Sequence, residues 1–274
     1  ALRYRQISLL SLTREVLAPD PFTIFDQWLE DVERVLGRHA ASGRTALLML
    51  DEFEALEKPF SDGRFDAVQV LGMLRNLIQH RPRFRVLLAG THTLGEYTRW
   101  ASYLINVQIV HLSYLGEQET RDLIEQPMTD FALRYEPAAV DRIIALTRGH
   151  PYLAQLLCSE IVALKNQQDV SVRRLARLSD VELAVPSALD SGTMFFADME
   201  TNQIDAAGRA LLARLATAGE GQAVPLGTLA AALPDPAAAE QVAEKLRRRE
   251  LIELFGSGLH FQVELIRRWF ARPH

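Results

Sequence analysis

Hydrophobic and polar positions along the chain fall into distinct regimes. Up to about Leu133, short apolar runs alternate with segments of helical period. The runs are Tyr4–Leu12, Ala46–Leu50, Phe84–Ala89 and Ile105–Leu112, and the helical patterns are Pro21–His39, Phe65–Gln79 and Leu94–Tyr103. Helices separating short buried strands predict a parallel sheet with right-handed crossovers. The string Thr45–Glu52 (TALLMLDE) carries no charge until it stops on two adjacent carboxylates, which predicts a strand buried on both faces. From Pro137 to about Leu183 the period is helical throughout, over Val140–Leu146, Tyr152–Leu164 and Val172–Leu178. Pro137 and Pro151 stand where helices start, since proline is tolerated at first helical positions. The small and acidic residues of PSALDSGTMFFADMETNQ, which follow, predict a linker.

A third regime runs from about Ile204 to the end. Helical patterns cover Ala206–Ala216, Leu226–Ala232 and Ala237–Arg249. Two short apolar runs, Leu251–Phe255 and Leu259–Val263, are joined by Gly256-Ser257-Gly258, which is a hairpin signal. An amphipathic helix over Val263–Phe270 closes the chain. Three helices followed by a β-hairpin is the winged-helix order. The expected architecture is therefore an α/β part over residues 1–133, a helical part with linker over 134–200, and a winged-helix part over 201–274. No internal repeat or low-complexity tract interrupts it.

Composition narrows the function classes. The chain has 274 residues, 48% of them hydrophobic and 24% charged, which suits a soluble protein of two or three domains with a substantial core. A formal net charge of −5 argues against a general nucleic-acid coat. The single cysteine, Cys158, excludes an internal disulfide and fits a reducing, cytoplasmic compartment. It sits within AQLLCSEIVAL, where core packing accounts for it. No run approaches the roughly 20 apolar residues of a membrane span, and ALRYRQISLL does not read as a signal peptide. The first residue is not Met, and the expectation is a piece of a longer protein.

Three strings carry candidate chemistry. Asp51 and Glu52 end their strand at the carboxyl edge, where open α/β sheets bind ligands. An Asp there can hold Mg²⁺ and a Glu can polarise water, while a buried strand ending in two solvated acids satisfies the same string. Phe84–Ala89 ends in Gly90-Thr91-His92-Thr93, where a polar side chain can meet a phosphate or a water. A glycine turn with Thr93 as N-cap fits equally. TRGHPYLAQLL joins two helices, with Gly149 as C-cap and Pro151 restarting the next helix.

The ordered set of acidic strand end, polar strand end, Gly-x-Pro between helices and winged helix resembles one family. It is similar to the STAND branch of AAA+-related P-loop ATPases, in particular the bacterial AAA-like proteins with a GHPYL lid motif, over most of the chain. The resemblance implies an α/β P-loop NTPase core, a helical lid and a C-terminal winged helix. TALLMLDE matches Walker B, implying Asp51 as an indirect Mg²⁺ ligand and Glu52 as the residue that activates water. FRVLLAGT matches sensor 1, with Thr91 as the implied contact. GHP matches the Gly-x-Pro element, implying Gly149 and Pro151 at the nucleotide, with the proline near adenine. LHFQVELIRRW resembles the closing strand and helix of the winged-helix domain, and places His260 where relatives touch a β-phosphate; Phe261 stands where an Asp usually follows. The implied cofactors are ATP or ADP with Mg²⁺. Arg81, Arg83 and Arg99 are candidates for an arginine finger supplied in trans.

One departure stands out. No Walker A string, GxxxxGK[ST], occurs in the chain. GRHAASGRT has the wrong glycine spacing, an Arg44 in place of Lys, and precedes a strand instead of following one. GTHTLG has the right setting and no Lys. The family's first strand and phosphate loop are expected upstream of Ala1, so this chain alone is expected to be inactive as an ATPase. Without that strand, Phe84–Ala89 and Ile105–Leu112 must either pair directly or leave a gap with exposed apolar surface. The functional reading is a nucleotide-dependent switch module of a larger signalling ATPase, whose partners are further domains of the parent chain and possible further copies. Two alternatives stand beside it: a winged-helix DNA-binding regulator of the origin-recognition type, and a pseudo-ATPase scaffold that binds partner proteins. For DNA, the helix ending in Lys245, Arg247, Arg248 and Arg249 is suggestive, yet residues 205–274 hold nine Lys/Arg against eight Asp/Glu, too balanced for a strong phosphate footprint.

Overall fold

The computed structural model describes residues 9, 11–38, 44–90, 100 and 102–272. The chain divides into two units, Ala1–Val110 and His111–His274.

In the first unit, helix α1 (Arg14–Leu17) is capped by the Thr13 hydroxyl, which accepts from the Val16 N–H, and is followed by the amphipathic α2 (Pro21–Arg38). Strand β1 (Ala46–Leu50) leads through a 3-10 turn (Phe53–Leu56) and short helix α3 (Glu57–Ser61) to α4 (Ala67–His80) and strand β2 (Phe84–Leu88). Asp66 caps α4 by accepting from the Val68 and Gln69 N–H groups. The strands pair in parallel, from Ala46 opposite Phe84 to Leu50 opposite Leu88, as the helix-separated runs predict.

Burial along these strands differs from the expectation of two covered faces. Ala46, Leu48, Phe84 and Val86 pack with Leu29, Val32 and Leu77 from α2 and α4, whereas Leu47, Met49 and Leu87 are 57%, 65% and 52% exposed. An uncharged run fixes the strand, but only the neighbouring elements decide how many faces are covered. The expected strand Ile105–Leu112 also does not form. Residues 102–106 turn and 107–112 are irregular, and Ile105 and Leu112 stand 75% and 93% exposed. No described strand pairs with this segment, so the expected direct pairing with β2 does not occur. The expected strand Tyr4–Leu12 and helix Leu94–Tyr103 fall largely outside the described residues. Of them, residues 9, 11 and 12 are not in a strand and Trp100 is helical. Trp100 is fully buried, 5.1 Å edge-on to Phe53, and its indole N–H donates to Glu57 at 2.8 Å.

In the second unit, α5 (Glu117–Glu125), α6 (Pro137–Thr147), α7 (Pro151–Asn166) and α8 (Leu178–Ser191) pack together, with the two-residue strands β3 (Arg134–Tyr135) and β4 (Leu175–Ala176) paired in parallel between them. The helix expected over Val172–Leu178 is instead a turn and β4. Asp169 accepts from the Ser171 N–H and hydroxyl at 2.9 and 2.7 Å, an arrangement that competes with helix. Asp180 then starts α8 by accepting from the Arg177 N–H at 2.8 Å.

The segment expected to be a linker is helical. α8 runs through Pro186, Gly192 marks the junction to α9 (Thr193–Asp198), and a π turn (Met199–Gln203) follows. Its small residues serve close packing: a Cβ on Gly192 would lie 2.7 Å from Leu156 and 2.8 Å from Phe196. Phe196 is fully buried and stacks on Trp269 at 4.9 Å.

Asp205 caps α10 (Ala206–Ala216) through the Gly208 N–H. Then come α11 (Leu226–Ala230), a 3-10 turn (Pro236–Ala238), α12 (Ala239–Arg248), the antiparallel hairpin β5 (Ile252–Phe255) and β6 (Gly258–Phe261), and α13 (Glu264–Phe270). Val224 and Leu259 exchange backbone hydrogen bonds of 2.8 and 2.9 Å, adding a one-residue third strand to the hairpin. A single hydrophobic core extends from Ile124 to Phe270, so residues 134–200 and 201–274 share one interior.

Candidate functional site

The sequence-predicted site residues fall into two groups, one in each unit. In the first unit, β1 and β2 end side by side. Ala89 donates to the Leu50 carbonyl at 2.9 Å and receives the Phe53 N–H at 3.1 Å, so the acidic end of β1 and the Gly90 end of β2 are bound together. Asp51 and Glu52 are both exposed there, and the Asp51 carboxylate accepts from the Glu52 N–H at 3.0 Å. Glu52 has φ 49° and ψ 44°, a left-handed conformation that costs a non-glycine residue energy and recurs at functional sites. Gly90 leaves room for its neighbours: a Cβ there would lie 2.2 Å from the Glu54 carboxylate and 2.9 Å from the Phe53 ring, so a larger residue needs those side chains to shift. Thr91 lies outside the described residues, as does Arg99. Arg81 is committed to structure: its guanidinium, largely buried, meets Asp26 at 2.6 Å and Glu33 at 3.2 Å on α2. Arg83 donates its N–H to Glu33 at 3.3 Å.

The second group gathers around the turn between α6 and α7. Gly149 is buried with φ 77°, and a Cβ there would lie 2.3 Å from the Leu115 carbonyl oxygen, whose own N–H donates to Gly149 O at 2.9 Å. Pro151 occupies the first helical position of α7. Between them His150 lies against Tyr114 at 5.2 Å and edge-on to Phe195 at 5.4 Å. Its Nδ1 is buried without a hydrogen bond, and burial holds the imidazole below its ordinary pKa. The Tyr114 hydroxyl donates to the Glu250 carbonyl at 3.0 Å, and burial together with Glu250 pushes its pKa up.

His260 reaches the same turn through residues the sequence reading missed. Its Nε2 lies 3.1 Å from Glu253 Oε1, and that oxygen is 3.4 Å from an Arg148 guanidinium nitrogen. Arg148 is left-handed at φ 53°, and so is Glu250 at 57°. The hairpin register could have revealed Glu253, because a two-residue turn at Gly256-Ser257 sets Glu253 directly opposite His260. Nothing in the string TRGHPY signals a left-handed arginine. Gly149, Pro151 and His260 are thus brought together, with Arg148 and Glu253 as the link.

The basic end of α12 is partly paired within the chain. Arg247 and Arg248 each meet Glu244 at 3.0 Å, and Lys245 lies 3.4 Å from Asp205. Among the described residues, no three His, Cys, Asp or Glu side chains gather as a metal site, and no helix is long and apolar enough to cross a membrane.

Comparison with known proteins bears on the fold and the family. A Walker-type ATPase of Pyrococcus abyssi shares the fold at TM-score 0.54 and 13% identity, over 95% of this chain and 72% of that one. The Thermotoga maritima RuvB Holliday junction branch migration motor aligns at TM-score 0.43 and 18% identity, over 80% of this chain and 67% of its own. A Pyrococcus horikoshii signal transduction ATPase with numerous domains (STAND), which carries a tetratricopeptide repeat sensor, aligns at TM-score 0.31 and 14% identity, over 90% of this chain and 29% of that one. No curated protein matches the chain. The sequence model described as Novel STAND NTPase 1 matches residues 8–270. The chain therefore belongs to the Novel STAND NTPase 1 family, within the AAA+-related P-loop ATPases.

Proposed function

We propose that the chain is the nucleotide-dependent switch module of a larger signalling ATPase. The observation that carries this reading is the paired carboxyl end of β1 and β2, where two exposed carboxylates and a strained Glu52 face the edge at which α/β sheets take ligands. In this reading Asp51 holds Mg²⁺ and Glu52 and Thr91 handle the attacking water, while Gly149, Pro151 and His260 contact the nucleotide. A Mg²⁺ ion at phosphates asks the protein for only one or two carboxylates and takes its remaining ligands from phosphate and water. Asp51, exposed and without two further acidic or imidazole neighbours among the described residues, fits that role. When bound, the ion would supply charge neutralisation at the phosphates.

The reading also needs a Gly-rich phosphate loop, and residues 1–274 contain no GxxxxGK[ST]. The loop is assigned to polypeptide outside this span. The division into a core over residues 1–133, a lid with its following helices over 134–200 and a winged helix over 201–274 belongs to the same proposal, as does a cytoplasmic location. The three helices, hairpin and Val224–Leu259 bridge support the winged helix. ATP against ADP would bias the lid and winged helix between two arrangements, passing the state to further domains or further copies.

The test is ATP turnover by the polypeptide that carries both the phosphate loop and this chain. Glu52→Gln should lower turnover by about 10²–10⁴-fold while leaving ATP binding in place, the size expected of a lost water-activating group. Unchanged turnover in Glu52→Gln, or hydrolysis above background by the 274-residue chain alone, would overturn the proposal.

A further inference from the structure

The passage from α7 through β4 into α8 carries a surface that the nucleotide reading does not use. Tyr135 and Ala176 pair across β3 and β4 and are buried, while the neighbouring pair, Arg134 and Leu175, is exposed on the opposite face. Arg177, in extended backbone one residue beyond Ala176, is exposed as well, as strand alternation requires. Val170, Val172 and Leu178 extend the apolar part, and with Leu175 they stand 40% to 62% exposed. Arg173 and Arg174 are exposed between them. The charges are unanswered. Elsewhere in residues 111–274 most cations meet carboxylates: Arg121 meets Glu117 and Asp141, and Arg142 and Arg268 share Glu182 and Glu220. Among the described residues, no carboxylate lies at ion-pair distance from Arg134, Arg173, Arg174 or Arg177. The nearby acids are committed to other donors. Asp169 accepts from the Ser171 N–H, Asp180 from Lys165 and the Arg177 N–H, and Glu136 from the Leu178 N–H at 2.6 Å. Four guanidinium groups are thus left among four exposed aliphatic side chains.

We propose that this face, centred on Arg134, Leu175 and Arg177, docks an acidic segment of a partner protein that also carries aliphatic side chains. Charge complementarity names the acids, because a guanidinium fork takes a carboxylate through two parallel hydrogen bonds. The interleaved valines and leucines name the aliphatic part, and arginine beside apolar contact is the composition that protein interfaces favour. A nucleic acid fits less well, since the described patch has no aromatic ring on which a base could stack. Nucleic acid and an anionic bilayer also spread their charge beyond the patch, toward the remainder of a chain whose net charge is −5. A short peptide meets the patch alone, because screening removes repulsion from charges more than about 8 Å away.

The test is fluorescence anisotropy of the 274-residue chain with a labelled synthetic peptide repeating Glu-Thr-Leu-Thr, whose acids and leucines share one face when extended. The peptide should bind, and more weakly as salt rises. Arg134→Gln combined with Arg177→Gln should weaken binding at least about fivefold, the size expected of two exposed charge pairs. Leu175→Ser should also weaken it. Arg75→Gln combined with Arg214→Gln takes the same charge from exposed sites elsewhere and should leave binding unchanged. All five positions are exposed, so melting should be unaltered in every variant. Absence of binding, or equal weakening by the two arginine pairs, overturns the proposal. Equally tight binding of a leucine-free Glu-Thr repeat overturns it too, because charge alone would then suffice. Tighter binding to phosphatidylserine vesicles or to a DNA duplex, lost with Arg134 and Arg177, overturns the class of partner. Self-association in sedimentation that the same pair abolishes overturns it in favour of a second copy.

Discussion

Residues 1–110 and residues 111–274 bury their apolar surface in opposite ways. The first unit rests on two small clusters beneath one face of a two-stranded sheet, and the other face shows Leu47, Met49 and Leu87 to solvent. The second has a single core running from Ile124 to Phe270, and a layer of buried or shared charges around it. The difference teaches where each kind of function sits. The first unit offers the carboxyl ends of two paired strands with two exposed carboxylates. The second offers interlocked elements, where a change at one contact is felt across the hairpin and the helices.

The most severe break in that interlock is at Lys165 and Asp180, whose side chains meet at 3.0 Å and are 5% and 8% exposed. Asp180 also accepts from Gln168 and from the Arg177 N–H that starts α8. Burial raises its pKa, yet these donors outweigh burial and hold it below the ordinary carboxylate value. Lys165→Met leaves a buried carboxylate without its cation, which typically costs about 3–5 kcal/mol. Amide exchange should show residues 111–274 losing protection by that amount while α2 and α4 keep theirs. Equal loss in both units would mean that they unfold as one, and the comparison would fail.

Acid should separate the units by a smaller margin. Glu220 is held down to about 2, chiefly by its hydrogen bond from Arg142, and Arg268 adds to this. Glu182 and Asp205 are also lowered; burial opposes the shift in Glu182, whose hydrogen bonds from Arg142 and Arg268 prevail, and the Gly208 N–H is the main cause in Asp205. A lowered carboxylate stabilises above its unfolded value and loses that contribution as pH falls through its folded one. The loss therefore runs from about pH 4.5 toward 2 for Glu220. His150 adds an earlier step of the same sign. Its folded pKa is depressed, so the unfolded chain takes up its proton first, and stability starts to fall below pH 6.5. In the first unit the lowered acids, Glu15 and Asp20, are fully exposed. Unfolding followed by exchange against pH should show 111–274 losing stability in two stages, and His150→Gln should remove the upper one. A single stage below pH 4.5 in the unsubstituted chain would refute the role given to His150.

What the sequence made legible follows the same division. Where a local cap and an apolar period agree, the element is readable: α10 falls on Ala206–Ala216 because Asp205 closes its first turn. β1 and β2 were readable as parallel neighbours from their length and intervening helix, and Asp51 and Glu52 as a strand end. The carboxylates' backbone was not, since nothing in the letters DE announces a left-handed glutamate. The helix through Pro186 and Gly192 was hidden because the small residues that permit packing against Leu156 also compose linkers. Arg148 and Glu253 were hidden because their meeting depends on contacts about a hundred residues apart in sequence.

The gentlest test addresses the open face itself. Met49 is 65% exposed and points away from the helices, whereas its neighbour Leu48 packs in the cluster with Leu29 and Leu77. If the face is open in solution, Met49→Lys should change stability by no more than about 0.5 kcal/mol, the usual range for surface substitutions. Leu48→Lys should cost far more, because it pushes a charge into that cluster. Both follow from side-chain period alone, since adjacent strand residues point to opposite faces. An equal loss from the two substitutions would mean that the face is covered in solution. Sedimentation would then show whether the cover is a second copy. A face of parallel sheet left to water is unusual enough that this small expected number discriminates sharply.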